Sequence, residues 1–179
     1  MRKAACCNLS ESFETNASVD VSFADAVTGT KHIEMLGLAG RYALIQRENI
    51  PFARGINAST GFTYIPGPFV ESIQLTKGLS SVMNGYESIT GQINVELMKP
   101  ETSPPLLLNI FANQGGRMEG NIVSGFKINE TTSSEILAHY SNSPFVNDQN
   151  EDGFADMPIG SQFNLSNKWH FGRDGKGWE

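Results

Sequence analysis

At 179 residues the chain is long enough for one large or two small domains, and thirteen basic residues against nineteen acidic ones leave it at a net charge of −6. No Lys/Arg run offers a nucleic acid its electrostatic footprint, so that class of partner is excluded. No apolar segment reaches the roughly 18 to 20 residues of a membrane helix, so any membrane reading must be a β-barrel one.

The chain opens with Met1-Arg2-Lys3 running into Ala4-Ala5-Cys6-Cys7 without the apolar stretch of a signal peptide. The Ala, Leu and Glu content up to Phe13 favours a short helix. Cys6 and Cys7 are neighbours on it and diverge, which argues against a disulfide between them. A packed helix face and a soft-metal site both remain open for the pair, although no nearby His or Met spacing completes a ligand set.

Val19, Val21 and Phe23 then alternate as a strand. His32–Leu36 and Arg41–Arg47 read as two extended runs folded into a tight β-hairpin around Gly37 and Gly40. A lone His32 beside a strand is ordinarily a surface or hydrogen-bonded residue. Residues 51–68, with three prolines and several glycines among aromatics, predict a long irregular loop, and loops of that length are usually functional.

Residues 70–100 are the most informative. Ser72, Gln74 and Thr76 alternate with Ile73, Leu75 and Lys77 as a half-buried strand that Gly78 ends. Ile93, Val95 and Leu97 form one face of a second strand, opposite Gln92, Asn94 and Glu96, and Pro100, Pro104 and Pro105 stop it. The small residues between them, from Ser80 to Gly91, let backbone pack closely against another surface.

This stretch resembles the end of the plug domain of TonB-dependent outer-membrane receptors. Glu71, Ile73, Lys77-Gly78, Ser81, Gly85-Tyr86, Gly91, Ile93-Asn94 and Lys99-Pro100 fill the family's pattern in order and spacing. Upstream the chain departs from it, with Met35-Leu36-Gly37 in place of Ile-Arg-Gly and Glu48-Asn49-Ile50-Pro51 in place of an Asp-Gly turn, as in a divergent subfamily. The resemblance makes residues 51–68 the apical part of the plug. Arg54, Asn57, Phe62 and Tyr64 are then the candidate ligand contacts, offering a charge, an amide and two aromatic surfaces; the alternative is a packed Ω-loop without a ligand.

After Pro104 the texture changes to alternating segments of about ten residues, the signature of a transmembrane barrel. Leu106, Leu108 and Ile110 oppose Asn109; Met118, Ile122 and Phe126 oppose Glu119, Asn121 and Lys127; Ile136 and Tyr140 oppose Glu135 and His139. Phe163, Leu165, Trp169 and Phe171 alternate with Gln162, Asn164, Ser166 and Lys168, the first set suiting lipid and the second a wet lumen. If the first strand starts on the periplasmic side, the long link from Asn142 to Ile159 is extracellular.

That link carries Asp148, Asn150, Asp152 and Asp156 as oxygen donors at every second place but one, with Phe154 offering its backbone carbonyl and Gly153 the sharp turn of a calcium loop. The twelfth position is Ile159 instead of a bidentate Glu, so a solvated acidic turn is the competing reading.

The expected fold is therefore an α+β plug domain over residues 1–103, followed over residues 104–179 by the first four antiparallel strands of an incomplete outer-membrane β-barrel. No nucleophile elbow, HExxH, P-loop or Cys-x-x-Cys is present, and the chain is read as a non-enzyme. The resemblance implies a fragment of an outer-membrane receptor whose barrel has about 22 strands. In that family the plug lies within the barrel on the periplasmic side and gates uptake of a scarce nutrient such as a siderophore, metal chelate or glycan. The implied partners are outer-membrane lipid, a small nutrient ligand and a TonB-type energy-coupling protein, which acts on an N-terminal box that this sequence does not include. No cofactor is required, calcium being the one candidate. The reading from another class is a secreted calcium-dependent β-rich adhesion or glycan-binding module.

Overall fold

The computed structural model describes residues 9, 13, 19–23, 31–58, 61–79, 81, 87–146, 148, 153, 155 and 159–172. The chain divides into two compact units, Met1–Leu97 and Met98–Glu179. The division falls before residue 103, and within 98–103 the Met98 carbonyl and the Ser103 hydroxyl are hydrogen-bonded to strands of the second unit.

The first unit holds two small sheets. β1 (Asp20–Phe23), β2 (Lys31–Met35) and β3 (Leu38–Ala39) form an antiparallel sheet in that order. A four-stranded sheet runs β5 (Ile50–Ala53), β4 (Ala43–Arg47), β7 (Gly91–Leu97), β6 (Val70–Lys77). The strands read around Gly78 are there, β6 pairing antiparallel with β7 so that Leu75 meets Ile93. β4 lies parallel to the other side of β7, Ala43 opposite Gly91.

One sequence expectation is corrected. The run 41–47 does not fold back on 32–36; β2 turns at Leu36-Gly37 (φ 55° and 72°) onto the short β3, and Gly40 starts a 3-10 turn that carries the chain away into β4. Gly40 is needed there, since a Cβ would stand 2.6 Å from the Ile33 carbonyl oxygen. In β7, the central strand of this sheet, Ile93, Val95 and Leu97 are in the core and Asn94 on the opposite face is buried as well.

The helical part of the α+β expectation has little to show among the described residues: Leu9 is helical, and the loop from residue 54 to 69 is built of 3-10 turns. Leu9 and Phe13 are nonetheless core residues. Leu9 N–H donates to Ile65 O at 3.0 Å, and the Phe13 ring meets Phe62 edge-on with centroids 5.4 Å apart. Cys6 and Cys7 lie outside the described residues.

The second unit is an antiparallel meander in which β8 (Leu107–Ala112), β9 (Met118–Asn129), β10 (Thr132–Ser143) and β11 (Gly160–Phe171) pair in sequence order. The last three are 12 residues each, long enough to cross a bilayer at the usual barrel tilt. β9 and β10 join through the two-residue turn Glu130-Thr131, where Asn129 Oδ1 accepts from the Thr131 amide at 2.9 Å.

Candidate functional site: a strand sheet with a buried polar face

The second unit inverts the usual rule of burial. On one face of the sheet Leu108, Ile110, Met118, Ile122, Phe126, Ile136, Tyr140, Phe163, Leu165, Trp169 and Phe171 are all exposed, Ile110 at 75% and Leu165 at 64%. On the other, Glu119, Asn121, Ser133, Glu135, His139 and His170 are buried, with Glu135 at 0%. Water would drive the opposite arrangement, since monomers in water rarely expose apolar patches of more than a few hundred Å².

Part of the buried polar face is hydrogen-bonded, while Ser133 Oγ and Glu119 Oε2 are buried without a hydrogen-bond partner. Asn121 Oδ1 lies 2.7 Å from His139 Nδ1, and its amide reaches Asn109 Oδ1 at 3.4 Å. Arg117 pairs with Glu119 at 3.1 Å. A polar group costs several kcal/mol if buried without a partner, so the pairs that do form help to hold this face inward.

Sequence reasoning missed the segment that crosses this face. From Met98 to Pro105 the chain runs as a strap over β11, β10 and then β9. Met98 O accepts from Lys168 Nζ at 3.0 Å, and Glu101 Oε1 sits 2.7 Å from His170 Nδ1. Ser103 Oγ donates to Glu135, whose carboxylate also faces Lys168 at 4.0 Å. Pro104 O and Pro105 O accept from the Gly125 amide and from Ser124 Oγ, at 2.9 and 2.8 Å. Gly125 makes room for the crossing: a Cβ there would lie 2.6 Å from the Ser103 Cβ. A glycine inside a strand is the sequence signal for such a close approach.

In the first unit, the four ligand-contact candidates separate. Arg54, half exposed, pairs with Glu87 at 2.9 Å; Asn57 is exposed and its amide donates to Arg54 O at 3.2 Å; Tyr64 is 54% exposed. Phe62 is 2% exposed and packs on Phe13, so it is a core residue and presents no aromatic surface to a ligand. The β4–β5 turn, Glu48-Asn49, keeps positive φ (55° and 61°) without the family's glycine. β7 holds it in place: Glu48 Oε1 accepts from the Leu97 amide and Asn94 Oδ1 from the Asn49 amide, both at 2.8 Å.

Of the calcium candidates, Asn150, Asp152, Phe154 and Asp156 lie outside the described residues. Asp148 Oδ2 accepts from the Gly153 amide at 2.9 Å, which folds the start of the loop back on itself.

No protein-family model matches the sequence, and a search of curated proteins finds none similar. Solved structures do match. The copper transporter OprC superposes with a TM-score of 0.71 at 17% identity over 94% of this chain and 26% of its own. The ferric-catecholate import receptor Fiu from E. coli K12 gives 0.71 at 18% identity over 97% of this chain and 23% of its own. The fold is that of TonB-dependent outer-membrane receptors. A third such receptor, FyuA for ferric yersiniabactin from Yersinia pestis, gives 0.67 at 12% identity over 97% of this chain and 28% of its own. The chain thus spans about a quarter of the length of the TonB-dependent receptors it resembles.

Proposed function

We propose that the chain is the plug and the opening barrel strands of a TonB-dependent outer-membrane receptor that imports a scarce nutrient carried as a small metal chelate or similar ligand. The observation that carries this reading is the inverted second unit, with apolar side chains outward and polar side chains buried, directly after a compact mixed sheet. Solved proteins of the same fold transport copper or take up iron chelates, which favours a metal-bearing ligand for this chain too. Residues 1–103 act as the plug, Arg54, Asn57 and Tyr64 are its ligand-facing candidates, and outer-membrane lipid and a TonB-type protein are the partners. The edges of the four-stranded sheet, β8 and β11, leave backbone groups to be paired by further strands of a longer chain. The reading as a secreted adhesion module is disfavoured, because it would put the apolar face of β8–β11 into water.

Calcium in the loop from Asp148 to Asp156 is proposed as a structural ion, supported by the alternating oxygen donors.

In the cell that makes it, the full receptor is expected in the outer-membrane fraction. Growth that depends on it under metal limitation should be lost when the energy-coupling protein is deleted. Recovery in the soluble fraction, or growth indifferent to that deletion, would reject the reading.

A further inference from the structure

One rung of the strand sheet gathers polar atoms that its own hydrogen bonds leave over. Lys127 of β9, Ser133 of β10 and His170 of β11 are direct partners across neighbouring strands, so their side chains share the polar face, and Glu101 of the strap comes down on His170. Ser133 is 4% exposed and His170 6%. Ser133 Oγ, His170 Nδ1 and Glu101 Oε2 are all buried without a hydrogen-bond partner, a state that folded proteins mostly avoid because the lost water is not replaced. The three residues line one cavity of about 490 Å³.

We propose that Glu101, His170 and Ser133 form a binding site for a divalent cation of the zinc and copper kind, which fastens the strap to the strand sheet. The imidazole carries the argument. His170 Nε2 lies 3.2 Å from Gly172 O, and a carbonyl only accepts, so this contact calls for the ring proton on Nε2. Nδ1 then turns a lone pair toward Glu101 Oε1 at 2.7 Å. With the proton on Nδ1 instead, the lone pair of Nε2 faces the carbonyl. A neutral ring thus leaves two acceptors opposed in either tautomer, and a second ring proton would relieve that contact while leaving Glu101 Oε2 and Ser133 Oγ unpaired. A cation between Nδ1 and Glu101 answers all of these. It takes the imidazole lone pair, the carboxylate and the Ser133 hydroxyl, while Nε2–H stays on a backbone carbonyl, the usual arrangement of a metal-binding histidine. An imidazole nitrogen among the donors suits zinc and copper better than calcium or magnesium. Metal bonds of about 2.0 to 2.2 Å set the two donors about 3 Å apart, so Glu101 has to withdraw by only a few tenths of an ångström. Lys127 and Glu130, both exposed, line the cavity as well and offset each other, so the charge the ion meets is that of Glu101. The site is built from the second unit alone and does not depend on which ligand the receptor carries.

Copper(II) is the probe, added to the full receptor in lipid vesicles without transported ligand, with Cys6 and Cys7 replaced by Ser and a nitroxide on Thr102→Cys, the exposed neighbour of Glu101. An ion bound at the site should broaden the nitroxide lines, because the two unpaired spins are then close. A nitroxide on Ser143→Cys, at the far end of β10, should keep its lines. Zinc, which competes for the site and carries no unpaired spin, should restore the Thr102 signal. Glu101→Gln and His170→Gln should each raise the copper concentration needed for half of the broadening by at least about tenfold, the low end of what disturbing a ligand's supporting contacts costs. No broadening at Thr102, equal broadening at Ser143, no recovery with zinc, or an unchanged copper dependence in both variants would overturn the proposal. The comparison of the two labelled positions and the zinc competition do not depend on either ligand variant folding.

Discussion

The two units use the same alternating sequence pattern and bury opposite halves of it. In β7 the apolar set, Ile93, Val95 and Leu97, is in the core; in β11 the apolar set, Phe163, Leu165, Trp169 and Phe171, is outside and the polar set is turned in. Period two therefore fixes which side chains share a face but not which face meets the surroundings. That choice follows from the number of apolar faces that neighbouring elements can cover. β7 sits between β4 and β6 and is buried on its apolar face and at Asn94 on the other, whereas the meander β8–β11 has an apolar face that nothing in its own unit covers.

The comparison can be broken from either side. In the first unit Ile93→Ala should cost about 2 to 5 kcal/mol, the range for a large-to-small change at a fully buried site, read from denaturant unfolding. The same truncation at Leu165 should cost far less, because the outward side chain leaves no cavity behind. In the second unit Leu165→Arg should cost about 2 to 4 kcal/mol in an assembled barrel near mid-bilayer, and Asn164→Arg much less, in a membrane-folding assay. Equal costs for the two arginines would reverse or erase the proposed orientation.

The strap sharpens the account at a smaller scale. Gly125→Ala puts a methyl group 2.6 Å from the Ser103 Cβ, and overpacking of this kind should cost about 1 to 3 kcal/mol, seen as earlier unfolding and faster proteolysis between Met98 and Pro105. Gly120→Ala on the same strand, where a Cβ meets nothing within 4 Å, is the control and should be nearly silent. The smallest effect belongs to the acidic link. Calcium at about 10⁻⁴ to 10⁻³ M should slow its proteolysis in the full receptor, and Asp152→Ala should remove that protection. Identical cleavage with and without calcium would leave a solvated turn.

Much of this architecture was legible from residue order alone. Gly78 and the prolines from Pro100 bracketed β6 and β7 because both residue types act on the backbone directly. The strands β8–β11 and the sidedness of each were readable because alternation over a dozen residues leaves one register. Pairing between distant segments was not. The parallel ladder of β4 on β7 joins residues 43–47 to 91–95, and no turn chemistry announces such a contact. The hairpin expected over 32–47 failed for a local reason: Gly40 serves close packing against Ile33 instead of a turn between long strands. Among the ligand candidates, Arg54 and Tyr64 are exposed as a contact surface requires, while Phe62 had an aromatic partner, Phe13, that lies 49 residues away in sequence and could not be paired with it by inspection. The strap was hidden because its partners, Glu135, Lys168 and His170, each look like ordinary inward-facing polar residues of a barrel strand.

The central claim, that the outward face of β8–β11 meets lipid, is tested most directly by spin-label accessibility at neighbouring positions of β11. With the full receptor in vesicles, a nitroxide at Leu165→Cys should collide with lipid-soluble oxygen far more than with a water-soluble nickel chelate. The preference should fall sharply or invert at Asn164→Cys. Preferential contact of the Leu165 label with the nickel chelate, or the same preference at both positions, would contradict the account.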